Sequence, residues 1–203
     1  MDKLDLLYDH YKNSYELSKQ SQSDRNKLFI ILTLIIALHF LFIIEPDSLL
    51  HSLYGWLNES FKINIAIEFS IIQSLLWFVL LYFTIRYYQV NTYIERQYNY
   101  LHKLEESISC LSGYEFNRES FNYLQEYPWL LDFISIIYRV IFPVLYLIVL
   151  CVKIGYEIFS SVLSLSLILD IILALCCLVL TLLYLLFLHK NYIAQRIKAW
   201  LHK

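Results

Sequence analysis

AIEFSIIQSLLWFVLLYFTIR, running without a break into YYQVNTYIERQYNYLHKLEESISCL, occupies residues 66–111 and decides how this chain is read. The first part, 66–86, is apolar and of the length that crosses a bilayer, about 20 residues as a helix. The second part, 87–111, is polar and aromatic. No Pro or Gly interrupts the 46 residues. As one helix the stretch would measure roughly 65–70 Å. A single rod could therefore cross a membrane and continue beyond it.

The polar part has a pattern of its own. Tyr87, Val90, Ile94, Gln97, Leu101, Leu104, Ile108 and Leu111 follow one another at alternating spacings of three and four. This is the a/d seam of a left-handed coiled coil, with one polar member, Gln97. An amphipathic helix resting on one neighbour gives the same spacing. Both readings require an apolar partner outside the lipid.

Composition agrees with a membrane protein. The chain has 203 residues, 59% of them hydrophobic and 17% charged, whereas globular domains carry about 25% charged residues. Three Gly and three Pro leave few places to break a helix. The expected class is an all-α integral membrane protein with four transmembrane helices and a cytosolic helical hairpin extension. A net charge of −2 gives no reason to expect direct contact with nucleic acid. Cys110, Cys151, Cys176 and Cys177 form neither a C-x-x-C pair nor a disulfide framework, which suits a reduced interior.

Residues 1–27 hold five acidic and five basic residues and do not resemble a signal peptide. Leu4, Leu7, Tyr8, Tyr11 and Tyr15 share a helical face there, so 1–27 is expected as a cytosolic amphipathic helix. It should run straight into the first span, 28–44. Residues 45–65 form an outer connection with an interfacial helix: Pro46 suits a first turn, and Leu49, Leu50, Leu53, Trp56 and Leu57 make its apolar stripe. The second span, 66–86, continues as the coiled-coil-like extension 87–111. Ser112-Gly113 turns the chain into a return helix, 112–131, with Asn117 as cap and Phe116 and Phe121 at staple positions. The third span, 132–152, contains Pro143, which removes a helical hydrogen bond. A connection, 153–161, leads to the fourth span, 162–188, and a basic tail, 189–203.

Orientation follows from the basic residues. Five precede the first span, four lie between spans two and three counting Arg86, and four lie in the tail, against Lys62 and Lys153 alone in the outer connections. That bias places both termini in the cytosol, with a bacterial inner membrane as the expected location. The tail could also meet anionic lipid.

Ionisable residues inside spans are functional candidates, because each costs several kcal/mol unless paired or solvated. His39, Glu68, Gln73, Lys153, Glu157 and Asp170 fall at similar depth in the outer half, with Asp170–Lys153 the expected ion pair. Such a polar layer could be an ion or proton path, or an outward-facing trigger site. It could equally be wetted interface or packing pairs. Arg139 lies in the inner part of span three with no acid from another span evidently level with it. It could snorkel to headgroups or line a cavity between subunits.

Arg96 and His102 form R-x5-H, a spacing that occurs in HEPN ribonucleases. Residues six apart lie on nearly opposite helical faces, so that chemistry needs a special helix ending and a dimer. No G-x-S-x-G, H-E-x-x-H, P-loop or dinucleotide fingerprint is present. No enzyme, cofactor or metal site is expected. Tyrosines crowd the cytosolic helices, and tyrosine favours interfaces. Tyr8, Tyr11 and Tyr15 together with the 87–111 seam are read as an interaction surface; packing between the two helices is the alternative.

In layout, and in SDRNKLF leading from a polar helix into the first span, the chain resembles the small multi-spanning membrane subunits of bacterial phage-defence systems, such as the membrane component of Kiwa. The resemblance implies a membrane platform that senses infection or envelope disturbance and acts on a cytosolic effector. The expected function is thus a non-enzymatic sensor or scaffold, a homo-oligomer with a cytosolic protein partner. A pore-forming membrane effector is the alternative, and a HEPN-like ribonuclease a further one.

Overall fold

Every helix begins or ends where the chain supplies a physical reason. The computed structural model describes residues 3–44, 46–61, 69–116, 133–134, 136–160 and 164–201. Helix α1 spans Lys3–Ile44, α2 Pro46–Phe61 and α3 Phe69–Ser112. A π-helical turn, Ile137–Ile141, leads into α4, Phe142–Ser160, and α5 spans Leu165–Leu201. No strand occurs among the described residues. Within them, four helices are long and apolar enough to cross a membrane, their apolar windows lying in Lys3–Ile44, Ser70–Ser112, Ile137–Phe159 and Leu165–Leu188.

Neither Gly nor Pro falls within 3–44 or 69–112, so α1 and α3 each run through a polar and an apolar part without a break. Pro46 opens α2, where its fixed φ and missing N–H suit a first turn. Gly113 ends α3 with φ of 71°, and its N–H donates to the Ser109 carbonyl at 3.1 Å. This left-handed position suits glycine. Ser164 caps α5, its Oγ accepting from the Leu167 N–H at 3.2 Å. Pro143 lacks the N–H that would reach the carbonyl of residue 139, and the turn just before it is π-helical. A widened turn accommodates the ring and the missing bond.

One feature differs from the sequence reading. Residues 153–160 are helical: α4 continues through Lys153 and Glu157 to Ser160. These two residues sit one turn apart and neutralise each other, so the helix can keep them on a buried face. The return segment with Asn117 and Phe121, and also Glu68, lie outside the described residues.

The chain divides into two compact units. One comprises Met1–Phe29 and Arg86–Arg139, the other Ile30–Ile85 and Val140–Lys203. In the first, Tyr11 of α1 is buried with Leu101, Leu104 and Ile108 of α3, and Leu4, Leu7, Tyr15 and Phe116 close the edges. In the second, the core holds Leu32, Trp77, Leu80, Tyr146, Leu150 and Cys177. Its exposed residues include Leu34, Leu75, Phe78, Ile148, Leu175 and Leu183. Large apolar side chains therefore cover the outside of this unit while several charged ones lie within it.

Candidate functional site

All the helices that form the apolar unit, apart from α2, contribute a polar side chain to its interior. α1 supplies His39, α3 Gln73, Ser74 and Trp77, α4 Lys153 and Glu157, and α5 Asp170. Gln73 and Trp77 are four apart and so share a face of α3. Exposure is 4% for His39, 4% for Lys153, 2% for Glu157, 3% for Asp170 and 0% for Trp77. At such burial a charge must be paired or neutralised.

Lys153 Nζ lies 3.0 Å from Glu157 Oε1. The Trp77 indole N–H is shared between Glu157 Oε1 and Oε2 at 3.1 and 3.2 Å. Removing two charges from water costs several kcal/mol each, and close contact with satisfied lone pairs is what offsets it. The expected Asp170–Lys153 pair is therefore corrected: the Lys153 ion pair is with Glu157, its neighbour one turn on. Asp170 remains within electrostatic reach of both. Its Oδ1 makes no hydrogen bond, and the Ser74 hydroxyl lies against the carboxyl without closing one of normal geometry.

His39 Nδ1 is 3.0 Å from the Ile35 carbonyl oxygen. A carbonyl can only accept, so Nδ1 carries the hydrogen and Nε2 of the neutral ring is a bare acceptor. Nε2 is buried and has no hydrogen-bond partner. The ring meets Trp77 edge to face, centroids 5.1 Å apart. A cavity of about 10 Å³ is lined by His39, Trp77, Leu80, Tyr146 and Lys153 among others. Deeper along the same helices, Thr84 Oγ1 and Tyr146 Oη are 2.7 Å apart, and Thr84 also donates to the Leu80 carbonyl.

Arg139 does not belong to this cluster. It lies in the other unit, and its Nη2 is 2.7 Å from Glu95 Oε1 on α3. Neither snorkelling nor an inter-subunit ring is needed to account for it. The π-helical turn also presents Tyr138: its carbonyl accepts from Tyr87 Oη at 2.7 Å, and its ring lies 4.5 Å beneath the Arg25 guanidinium and 4.9 Å from Phe29. Glu95, Arg25 and Trp77 escape sequence reading because nothing local links them to Arg139, Tyr138 and Glu157.

Much of the 87–111 stripe is packed within the chain, the alternative weighed for it. Tyr87, Ile94, Leu101, Leu104 and Ile108 are buried, and Val90 and Gln97 half-buried. α1 of the same chain covers its outer part, because Leu4, Leu7, Tyr11 and Tyr15 repeat at the same three-and-four spacing. Tyr11 is buried and stacks on Tyr15, which is half-buried, whereas Tyr8 stays exposed against Phe116. Arg96 is exposed, and His102 lies 3.3 Å from Glu106 on its own helix. α3 is unbroken through both residues, so the special helix ending required for ribonuclease chemistry does not occur there.

Among the described residues, no group of three or more His, Cys, Asp or Glu side chains is placed to hold a metal ion. No protein-family model, curated protein or solved structure matches the chain.

Proposed function

We propose that this chain is a four-span integral membrane protein of a bacterial inner membrane, with both termini and the 87–131 extension in the cytosol. It works without catalysis, as a sensor or scaffold for a cytosolic protein. The observation that carries the reading is the partition of the unit formed by 30–85 and 140–203. Leu34, Phe78, Ile148 and Leu183 face outward while Lys153, Glu157, Asp170 and His39 are buried. In water this arrangement would expose an apolar surface far larger than a monomer keeps, whereas in lipid it is the expected one. The basic residues favour the stated orientation.

The other unit offers the output surface. Part of its seam, Leu101, Leu104 and Ile108, is packed by Tyr11 of its own α1. Tyr93, Tyr100 and Tyr114 remain exposed beside Tyr8. Rigid amphipathic rings of this kind favour protein contacts. The layout shared with phage-defence membrane subunits makes infection the first stimulus to try. Co-purification of one defined soluble protein, abolished in Tyr93→Ala/Tyr100→Ala while the membrane protein itself accumulates normally, would support the reading. Equal recovery from both would oppose it.

A pore is the second reading, favoured by the buried polar cluster. Leakage of a trapped dye from liposomes containing only the purified chain, lost in Glu157→Gln, would establish it instead.

A further inference from the structure

We infer that Asp170 is a proton-binding site in the interior of the apolar unit. The argument is a count of charges and hydrogen-bond partners. Acting on Asp170 are Ser74 on α3 and Lys153 and Glu157 on α4; Lys153 and Glu157 in turn meet His39 on α1 and Trp77 on α3. Lys153 provides the one formal positive charge among them, and it is held at 3.0 Å by Glu157. The Glu157 oxygens are further occupied by the Trp77 indole N–H. Lys153 and Glu157 cancel, and Asp170 is a second carboxyl with no cation of its own.

Among the described residues the Ser74 hydroxyl lies against the carboxyl, and no donor closes a hydrogen bond on Oδ1. Asp170 Oδ1 and Ser74 Oγ are both without hydrogen-bond partners, and Asp170 is 97% buried by its 3% exposure. His39 cannot supply one: Nδ1–H is given to Ile35, and Nε2 of the neutral ring only accepts. A bare carboxylate in this setting is costly. One proton on Asp170 removes the charge and creates an O–H that the Ser74 oxygen can accept. A metal ion needs several ligating oxygens, whereas a proton needs one. His39 and Lys153 line one small cavity and Lys153 acts electrostatically on the ring, so a proton on His39 would add a second cation near the first, and Asp170 is the site that takes it.

The site goes beyond the partner-binding reading and does not depend on it; loss of either leaves the other standing. The test is infrared difference spectroscopy on the purified full-length protein in lipid nanodiscs, titrated with alkali. A protonated-carboxyl C=O band is expected in the wild type. It should disappear as the pH rises, be absent in Asp170→Asn, and move in frequency in Asp170→Glu. Should Asp170→Asn fail to fold, the shift in Asp170→Glu carries the assignment. A wild-type protein without such a band overturns the proposal. So does a band that survives in Asp170→Asn. A thermal midpoint that responds to Na⁺ at fixed pH and not to pH also overturns it, assigning the site to a metal cation.

Discussion

Tyr11 donates a hydrogen bond of 2.9 Å to Glu105 Oε1, joining α1 to α3 across 94 residues of sequence. Both residues are buried. The phenol ring fills the apolar seam with Leu101, Leu104 and Ile108, and its hydroxyl answers a carboxyl that the same seam excludes from water. One residue thus supplies packing and polar satisfaction together.

Tyr11→Phe keeps the ring and removes the donor. A hydrogen bond to a buried charged group is worth about 1.5–3 kcal/mol. The variant should expose residues 3–20 to protease roughly 10-fold or more faster than wild type, with residues 94–108 deprotected in hydrogen exchange. The effect should not depend on protein concentration, because the seam closes within one chain. A rate that falls on concentrating the protein would mean that the contact forms between chains.

The buried pair on α4 gives a sharper contrast. Lys153→Met strands Glu157 and should lower stability by about 3–5 kcal/mol. Replacing both, as Lys153→Met/Glu157→Leu, should recover most of that loss, since a buried pair and apolar residues of similar volume are often equivalent. Thermal midpoints in one detergent would decide. A double variant no better than Lys153→Met would show that the charges do more than satisfy each other.

Arg139 and Glu95 are each about one-quarter exposed. Their pair is therefore partly screened, and a double-mutant cycle with Arg139→Met and Glu95→Gln should give a coupling of about 1 kcal/mol. Raising the salt from low ionic strength should reduce it. A coupling of zero at low salt would indicate that Arg139 serves another group.

How much of this was legible in sequence depends on the range of each signal. Four long apolar stretches can be counted from any chain, because bilayer thickness sets a length that composition either meets or does not. The unbroken α3 follows from the absence of Gly and Pro over 69–112. Pairings were harder to see. Lys153 and Glu157 already stood at helical i, i+4 spacing, and this local signal outweighs the matching depth that pointed to Asp170. Glu95 as the partner of Arg139 depends on how two distant helices align at a π-helical turn, and no local pattern encodes it. The seam had one visible solution within the chain, since Leu4, Leu7, Tyr11 and Tyr15 repeat with the same period. Spacing alone could not say whether this helix or another protein would fill it.

The central claim is that the chain crosses a membrane four times with its long polar helices in the cytosol. Cys110 on α3 and Ser52 on α2 are both exposed and would lie on opposite sides. With Cys151, Cys176 and Cys177 replaced by Ala, a membrane-impermeant maleimide tests this directly in spheroplasts and inverted vesicles. Cys110 should react only in inverted vesicles, and Ser52→Cys, in a chain also lacking Cys110, only in spheroplasts. Labelling of both from the same side would contradict the account.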